Sequence, residues 1–479
     1  MRSAHRVETV RSAERTLMAR LPAGALMQRA AAGLAAACAD ALGRVYGSRV
    51  VLLTGSGDNG GDTLYAGARL ARRGAGVTAV LLAPDHTHPD ALRALLRAGG
   101  TTTTADSATD AIARADLVLD GIVGIGGKGG LRPEAARLAG LVAASRATVV
   151  AVDLPSGIEP DTGEIHGTAL RADLTVTFGT HKPGLLIDPA RAYAGSVRLV
   201  DIGLASTLPG TPDLESLQHA DLAALLPRPA AESDKYRRGV VGIAAGSARY
   251  PGAAVLAVAG ALRSGAGAVR YVGPAAHAVL ARFPETLVSD SGPRKAGRVQ
   301  AWVTGPGAGD DAAPVAEALS TDVPVLLDAD GLRLADPAAV RARSAPTVMT
   351  PHAGEAAALL GVAREEVESA RLTAVRELAR RYAATVLLKG STTLVAGPDD
   401  ATPVRVNPTG TPWLATAGSG DVLSGLTGSL LAAGLAPLDA ASAAAYLHGL
   451  AGRYAANGAP AAAQDVADAI PAAWRDIRG

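Results

Sequence analysis

Arg49-Val50-Val51-Leu52-Leu53-Thr54 runs directly into Gly55-Ser56-Gly57-Asp58-Asn59-Gly60-Gly61-Asp62, and this junction decides the fold class. The apolar, partly β-branched run predicts a strand, and the glycine-rich segment predicts the turn that leaves it. A helical pattern over 63–73 and a second strand over 77–82 complete a βαβ unit. Its turn then lies at the C-terminal end of a parallel strand, where open α/β sheets bind ligands. The glycines are not spaced G-x-G-x-x-G, so this is not a dinucleotide fingerprint. Asp58, Asn59 and Asp62 offer acceptors to a cation or a polyol, or else form an Asx-stabilised loop.

Working outward, 6–43 reads as helix broken at Pro22. Strands over 116–120 and 148–153 end in Gly121-Ile122-Val123-Gly124-Ile125-Gly126-Gly127 and Leu154-Pro155-Ser156-Gly157, and further strands follow over 174–178 and 197–200. Parallel strand ends share one edge, so Asn59, Asp120, Asp153 and Ser156 are expected to converge there. Each alone is commonly a cap or turn former, and the repetition is the signal. Lys182 follows another strand end, as a site residue or a solvated loop lysine.

Pro209, Gly210 and Pro212 punctuate a polar stretch, which divides the chain into 1–212 and 213–479. Beyond it, strand-like runs over 240–245, 268–272, 301–304, 323–327, 347–349 and 385–388 alternate with helical segments, giving a second α/β unit. Its loops carry Gly305-Pro306-Gly307-Ala308-Gly309, Asp328-Ala329-Asp330-Gly331, Thr350-Pro351-His352-Ala353-Gly354-Glu355 and Lys389-Gly390-Ser391-Thr392-Thr393. Asp328, Asp330 and His352 are each explicable alone as turn or loop residues. Ala417-Gly418-Ser419-Gly420-Asp421 opens a helix with small residues, leaving its amides uncovered for an anion beside a carboxylate that can act as base. That combination suits phosphoryl transfer, although no Walker A pattern is present.

Composition narrows the partners. The 46 basic and 45 acidic residues nearly cancel, so no global field recommends nucleic acid or an anionic membrane. Cys38 is the only cysteine, which excludes an internal disulfide and a cysteine-clustered metal site. The basic N-terminus lacks an apolar h-region, and the apolar segment 30–39 is too short to span a bilayer. A cytoplasmic protein without membrane association is expected, and a homo-oligomer with it.

In order, Gly55 to Asp62, Asp120 with its glycine loop, Asp153-Leu154-Pro155-Ser156-Gly157 and Lys182-Pro183-Gly184-Leu185 resemble the NAD(P)H-hydrate epimerase domain family, which is a Rossmann-like three-layer α/β/α fold. The resemblance implies a potassium site at Asn59, Asp120 and Ser156. It also implies substrate contacts from Asp58, Asn59, Gly60, Gly61 and Asp62, from Gly124, Ile125, Gly126, Gly127, Lys128, Gly129 and Gly130, and from Asp153. Asp153 is the expected base for epimerisation, with Lys182 a second participant. Asp58 stands where the family commonly has Asn, adding a charge beside the implied cation, and Thr63 stands where Gly is common.

The second half, with Gly-Pro-Gly-x-Gly, Thr-Pro-His-x-Gly-Glu, Lys-Gly-Ser and Gly-Ser-Gly-Asp in order, resembles the ADP- or ATP-dependent NAD(P)H-hydrate dehydratases, a ribokinase-like α/β family. The resemblance implies substrate contacts at Ala253, Gly307, His352 and Asp421. It implies adenine-nucleotide contacts at Lys389, Gly390, Ser391, Thr392, Thr393 and Gly420, with Mg2+ accompanying ADP or ATP. Thr411 and Ala417 depart from the commoner Asn and Gly. Together the two resemblances imply repair of hydrated NADH and NADPH (NADHX and NADPHX): epimerisation of the R and S hydrates, and nucleotide-driven dehydration of S. A ribokinase-like small-alcohol kinase carrying a non-catalytic N-terminal binding domain is the alternative.

Overall fold

The computed structural model describes residues 1–127 and 129–479. They fall into two compact units, Ser3–Asp213 and Leu214–Gly479 with Met1–Arg2.

In the first unit every sheet pairing is parallel. The strand order is Thr101–Thr104, Gly76–Leu81, Arg49–Thr54, Leu117–Gly121, Thr148–Val152, Leu174–Phe178, Ser196–Val200. The chain therefore winds outward from Arg49–Thr54 in one direction and returns to build in the other, leaving a topological switch point beside Leu117–Gly121. Alternation along Arg49–Thr54 covers both faces: Val50 and Leu52 pack into one buried cluster with helices Val7–Met18, Ala25–Leu42 and Asp58–Arg72, while Val51 and Leu53 pack into another with helix Pro133–Ala143. This is the expected three-layer arrangement.

Two local expectations change. The helix after the first strand starts at Asp58, not at 63, so Asp58 to Asp62 form its opening turns. Three residues suffice for the turn because Gly57 takes φ +85° and Gly55 approaches the Ile122 carbonyl so closely that an added Cβ would lie 1.9 Å from its oxygen. The strand Thr101–Thr104 was not expected, having no apolar alternation; it is an edge strand whose threonine side chains meet Gly76–Leu81 through Thr78 and Thr101, 3.2 Å apart.

In the second unit the sheet runs Leu214–Ser216, Val404–Asn407, Thr393–Ala396, Thr385–Leu388, Thr347–Met349, Val325–Leu327, Ala301–Thr304, Val240–Ala244, Ala268–Val272, Leu287–Ser289. From Thr385–Leu388 onward the pairings are parallel, and Thr385–Leu388 turns back on Thr393–Ala396 as an antiparallel hairpin. Lys389 to Thr392 is thus a hairpin loop, closed by a strand too short to read from sequence. Helix Ser419–Ala432 lies buried almost throughout against helix Pro251–Arg263. The two backbones meet at glycines: an added Cβ would fall 2.2 Å from the Val422 oxygen at Gly260 and 1.9 Å from the Ala257 oxygen at Gly425. That contact fixes where the N-terminus of Ser419–Ala432 points. No helix among the described residues is long and apolar enough to cross a membrane.

Candidate active sites

At the switch point of the first unit opens a cleft of about 1380 Å3. Asp58, Asn59, Asp62, the loop residues 124–127, 129 and 130, and Asp153 all line it. Gly60, Gly61, Asp120, Ser156 and Lys182 stand behind its wall, and Lys128 lies outside the described residues. Gly60 is where helix Asp58–Arg72 crosses the turn, since an added Cβ would lie 2.3 Å from the Gly55 oxygen.

Asp153 projects from a backbone at φ +65°, a conformation uncommon for any residue but glycine. The strain is held by the acceptors and donors around it. Thr177 Oγ1 donates to its Oδ1 at 2.9 Å and the Phe178 amide at 3.2 Å, and Lys182 Nζ forms an ion pair with the same oxygen. Lys182, 1 % exposed, also donates to Thr177 Oγ1 at 3.0 Å and to the Phe178 carbonyl at 3.1 Å. Its ammonium is therefore aimed at Asp153 from the protein side. Two acids complete the wall. Burial, reinforced by Asp153, Asp58 and Glu14, pushes the Asp62 carboxyl well above its usual range, and its Oδ1 is buried without a partner. Burial likewise raises Glu14. Glu14 and Arg11, both lining the cleft, come from helix Val7–Met18 and were not anticipated. Only the buried face of that helix is readable as periodicity, and nothing local marks the face that meets a ligand.

Beneath the cleft floor Asp120 is fully buried, its Oδ1 accepting the Ser156 hydroxyl at 2.6 Å and its Oδ2 the Ser156 amide at 2.7 Å. Burial pushes this carboxyl up to about 6, against the pull of those hydrogen bonds. The side-chain nitrogen of Asn59 is buried with no partner, and an added Cβ at Gly124 would stand 3.0 Å from Asn59 Oδ1. Rotating that amide by half a turn presents oxygen in place of nitrogen. Carboxylate, hydroxyl and amide oxygens form a hard donor set, and a bound cation would offset the burial of Asp120. The residues fit an alkali ion. Thr63 supports the set from behind: its hydroxyl donates to the Asn59 carbonyl at 2.7 Å and occupies space left by Gly121, where an added Cβ would lie 1.9 Å from Oγ1.

The second unit gathers its polar residues at the opening of helix Ser419–Ala432. Lys389 Nζ lies 2.7 Å from Asp328 Oδ1 and 3.8 Å from Glu355 Oε2, and Ser424 Oγ donates to Asp328 Oδ2 at 2.7 Å. Gly420 stands over this group, its added Cβ 3.4 Å from Lys389 Nζ and 3.9 Å from Asp328 Oδ2. Burial and the charge of Asp328 push Asp421 up to about 7, with Lys389 opposing and Glu355 assisting. Burial opposes the Lys389 charge, but Asp328, Glu355 and Asp421 outweigh it and hold the ammonium above its usual range. A carboxylate titrating near neutrality beside helix amides is equipped to take a proton from a hydroxyl while the amides meet developing negative charge.

His352 caps helix Ala353–Leu360: its Nδ1 accepts the Gly354 and Glu355 amides at 3.0 and 3.2 Å, and Glu355 Oε2 accepts the His352 amide at 2.8 Å. Capping ties down one ring nitrogen and leaves the ring half-exposed. Asp330 accepts the Gly309 amide at 2.9 Å and thereby shapes the glycine loop. Gly307, at φ +61°, packs onto Ala253, where an added Cβ would fall 2.7 Å from the Ala253 Cβ and 3.1 Å from the Tyr250 oxygen. Gly307→Ala should therefore cost about 1–3 kcal/mol in strain and crowding. A thermal melt should fall; an unchanged melt would show that the loop yields freely.

Two α/β units, one with a polar cleft at its switch point and one of ribokinase-like fold with a tuned carboxylate at a helix opening, define a two-site enzyme. The family model for NAD(P)H-hydrate dehydratase matches residues 241–472, and that for the YjeF-related protein N-terminus matches 23–184. The chain is 51% identical to the bifunctional NAD(P)H-hydrate repair enzyme of Mycobacterium leprae, with 94% of this chain and 93% of that protein covered. It is 51% identical to the same-named enzyme of Mycobacterium tuberculosis H37Rv, with 92% of each covered. Among solved structures, the ADP/ATP-dependent NAD(P)H-hydrate dehydratase of Bacillus subtilis, co-crystallised with ATP and Mg2+, superposes with a TM-score of 0.51 at 29% identity, covering 55% of this chain and 99% of that one. This chain belongs to the bifunctional NAD(P)H-hydrate repair enzymes.

Proposed function

We infer that the first unit interconverts the R and S hydrates of NADH and NADPH, and that the second dehydrates the S hydrate at the expense of ADP or ATP. The observation that carries the reading is Asp421, raised to about 7 among Asp328, Lys389 and Glu355 at the start of a buried helix. In the second unit Asp421 takes the proton of the ring hydroxyl as the hydroxyl oxygen attacks the terminal phosphorus of ADP or ATP. The bond from that phosphorus to the bridging oxygen breaks, AMP or ADP leaves with the bonding pair, and the amides of residues 418–420 meet the charge that develops. Phosphate then leaves with the C–O bonding pair, the ring nitrogen supplies electrons, and loss of the neighbouring ring proton restores the double bond. His352, Gly307 and Ala253 would shape the substrate side, and residues 389–393 with Gly420 the nucleotide side. Among the described residues no group of three or more His, Cys, Asp or Glu is arranged to hold a metal ion, so Mg2+ would arrive on the nucleotide phosphates. There it would neutralise phosphate charge.

In the first unit Asp153 is the candidate proton acceptor, and Lys182 acts through it by orienting its carboxylate. Asp58, Asn59, Asp62 and the 124–130 loop would hold the hydrate. Potassium would sit at Asn59, Asp120 and Ser156, tying the loop after Leu117–Gly121 to the helix that starts at Asp58.

Two outcomes test these assignments. With purified protein, recovery of reduced cofactor from separated S hydrate should require ADP or ATP; recovery without nucleotide would contradict the dehydratase chemistry. Potassium, titrated against choline at constant ionic strength, should raise both the melting temperature and the rate of recovery from R hydrate, and Asp120→Asn should abolish both responses. A potassium response that survives in Asp120→Asn would place the ion elsewhere.

A further inference from the structure

Arg371 opens helix Arg371–Tyr382 and is only 6 % exposed, unusual for a guanidinium on a helix rich in surface charge. Its Nη2 donates to the carbonyls of Leu388 at 3.3 Å, Lys389 at 3.1 Å and Thr392 at 3.1 Å. These three carbonyls bracket the hairpin loop between Thr385–Leu388 and Thr393–Ala396. Gly390 rides directly on the guanidinium, where an added Cβ would lie 2.4 Å from Nη2. The Lys389 amide is meanwhile anchored to the Pro351 carbonyl at 2.8 Å. One buried cation thus gathers the carbonyl oxygens at the two ends of a tight loop onto its protein side.

The electrostatic consequence follows from the backbone itself. A loop carbonyl turned outward would present negative charge to a phosphate, and a phosphate site works by presenting amides and cations instead. Holding the Leu388, Lys389 and Thr392 carbonyls on Arg371 removes their part of that repulsion and places a fixed positive charge under the loop. Lys is a weaker substitute, because its compact ammonium is more strongly hydrated and sits on a flexible stem, whereas the rigid guanidinium plane fixes Nη2 under the loop. We propose that Arg371 is a positioning residue for nucleotide binding, shaping residues 389–392 from beneath so that they accept the phosphates of ADP or ATP. This rests on the reading of residues 389–393 as the nucleotide contact.

The test is steady-state dehydration of S hydrate with ADP as the varied substrate, alongside calorimetric ADP binding and a thermal melt, for wild type, R371K, R371M and G390A. R371M should raise the KM and Kd for ADP about tenfold or more, with the KM for the hydrate within about twofold of wild type. R371K should fall between, and G390A should resemble R371M because its methyl displaces the guanidinium. If R371M does not fold, R371K and G390A decide the matter. An ADP KM within twofold of wild type in R371K and G390A, or equal rises in both KM values, would overturn the proposal. A further variant with two glycines inserted after Gly390 separates the two levels. If it weakens ADP binding while R371K and G390A do not, the loop holds nucleotide without help from Arg371; if it too leaves ADP binding unchanged, the nucleotide site itself lies elsewhere.

Discussion

Asp421→Asn should lower kcat for nucleotide-dependent dehydration of the S hydrate by roughly 100- to 10,000-fold, the span removed with a general base, while ADP still binds. Asparagine keeps the shape and abolishes proton acceptance. The wild-type pH profile should show the complementary signature. The base works unprotonated, and Asp421 is raised to about 7, so kcat should climb about tenfold per pH unit below neutrality and level off near pH 8. Asp328→Asn removes one of the charges that raises Asp421, so the limb should move to lower pH. Stability runs the other way. A carboxyl whose folded pKa lies above its unfolded value binds its proton more tightly when folded, so its contribution fades as pH rises between the two. Asp421→Asn should therefore melt no lower than wild type at pH 8. A melt well below wild type, or a pH profile flat from 6 to 8, would contradict the role given to this carboxylate.

Asp153→Asn should abolish recovery from the R hydrate, again by roughly 100-fold or more, and leave recovery from S intact. Asparagine is the informative choice because it tolerates the positive φ of this position better than alanine does. The variant also strands Lys182, which is 1 % exposed, as a buried charge without its carboxylate. Breaking one side of such a pair costs about 3–5 kcal/mol, so the first unit should melt earlier. Asp153→Asn combined with Lys182→Met should recover much of that stability and none of the epimerisation. If the double variant regained epimerisation, Asp153 would be a structural partner of Lys182 and nothing more.

The two sites differ in how much of them a reader of the sequence can see. The residues that follow strand ends were legible, because a parallel sheet places all such ends along one edge: Asn59 and Asp153 do line one cleft, with Asp120 and Ser156 directly behind it. The cluster of Lys389, Asp328 and Glu355 beneath Gly420 was foreshadowed only as separate loops. The three loops leave parallel strands that are neighbours in the sheet, Val325–Leu327, Thr347–Met349 and Thr385–Leu388, so they open on one edge, but which side chains meet there depends on how helix Ser419–Ala432 packs over that edge. Glu14 and Arg371 gave no local signal at all, since each sits on an ordinary amphipathic helix and acquires its role from what the fold sets opposite it. Short hairpin strands such as Thr393–Ala396 escaped for a related reason: four residues carry too little periodicity, and only pairing makes them strands. The start of helix Asp58–Arg72 was misplaced because glycines there signal close approach to Gly55 and not a break in the helix.

Two chemistries share one chain, and one assay reads both. Separated R and S hydrates are incubated with the protein, potassium, magnesium and ADP, and the near-ultraviolet absorbance of regenerated reduced cofactor is followed for wild type and Asp153→Asn. The expected result is recovery from both hydrates with wild type, recovery from S alone with Asp153→Asn, and recovery from neither when nucleotide is omitted. Failure of wild type to recover cofactor from S with either ADP or ATP would contradict the central claim.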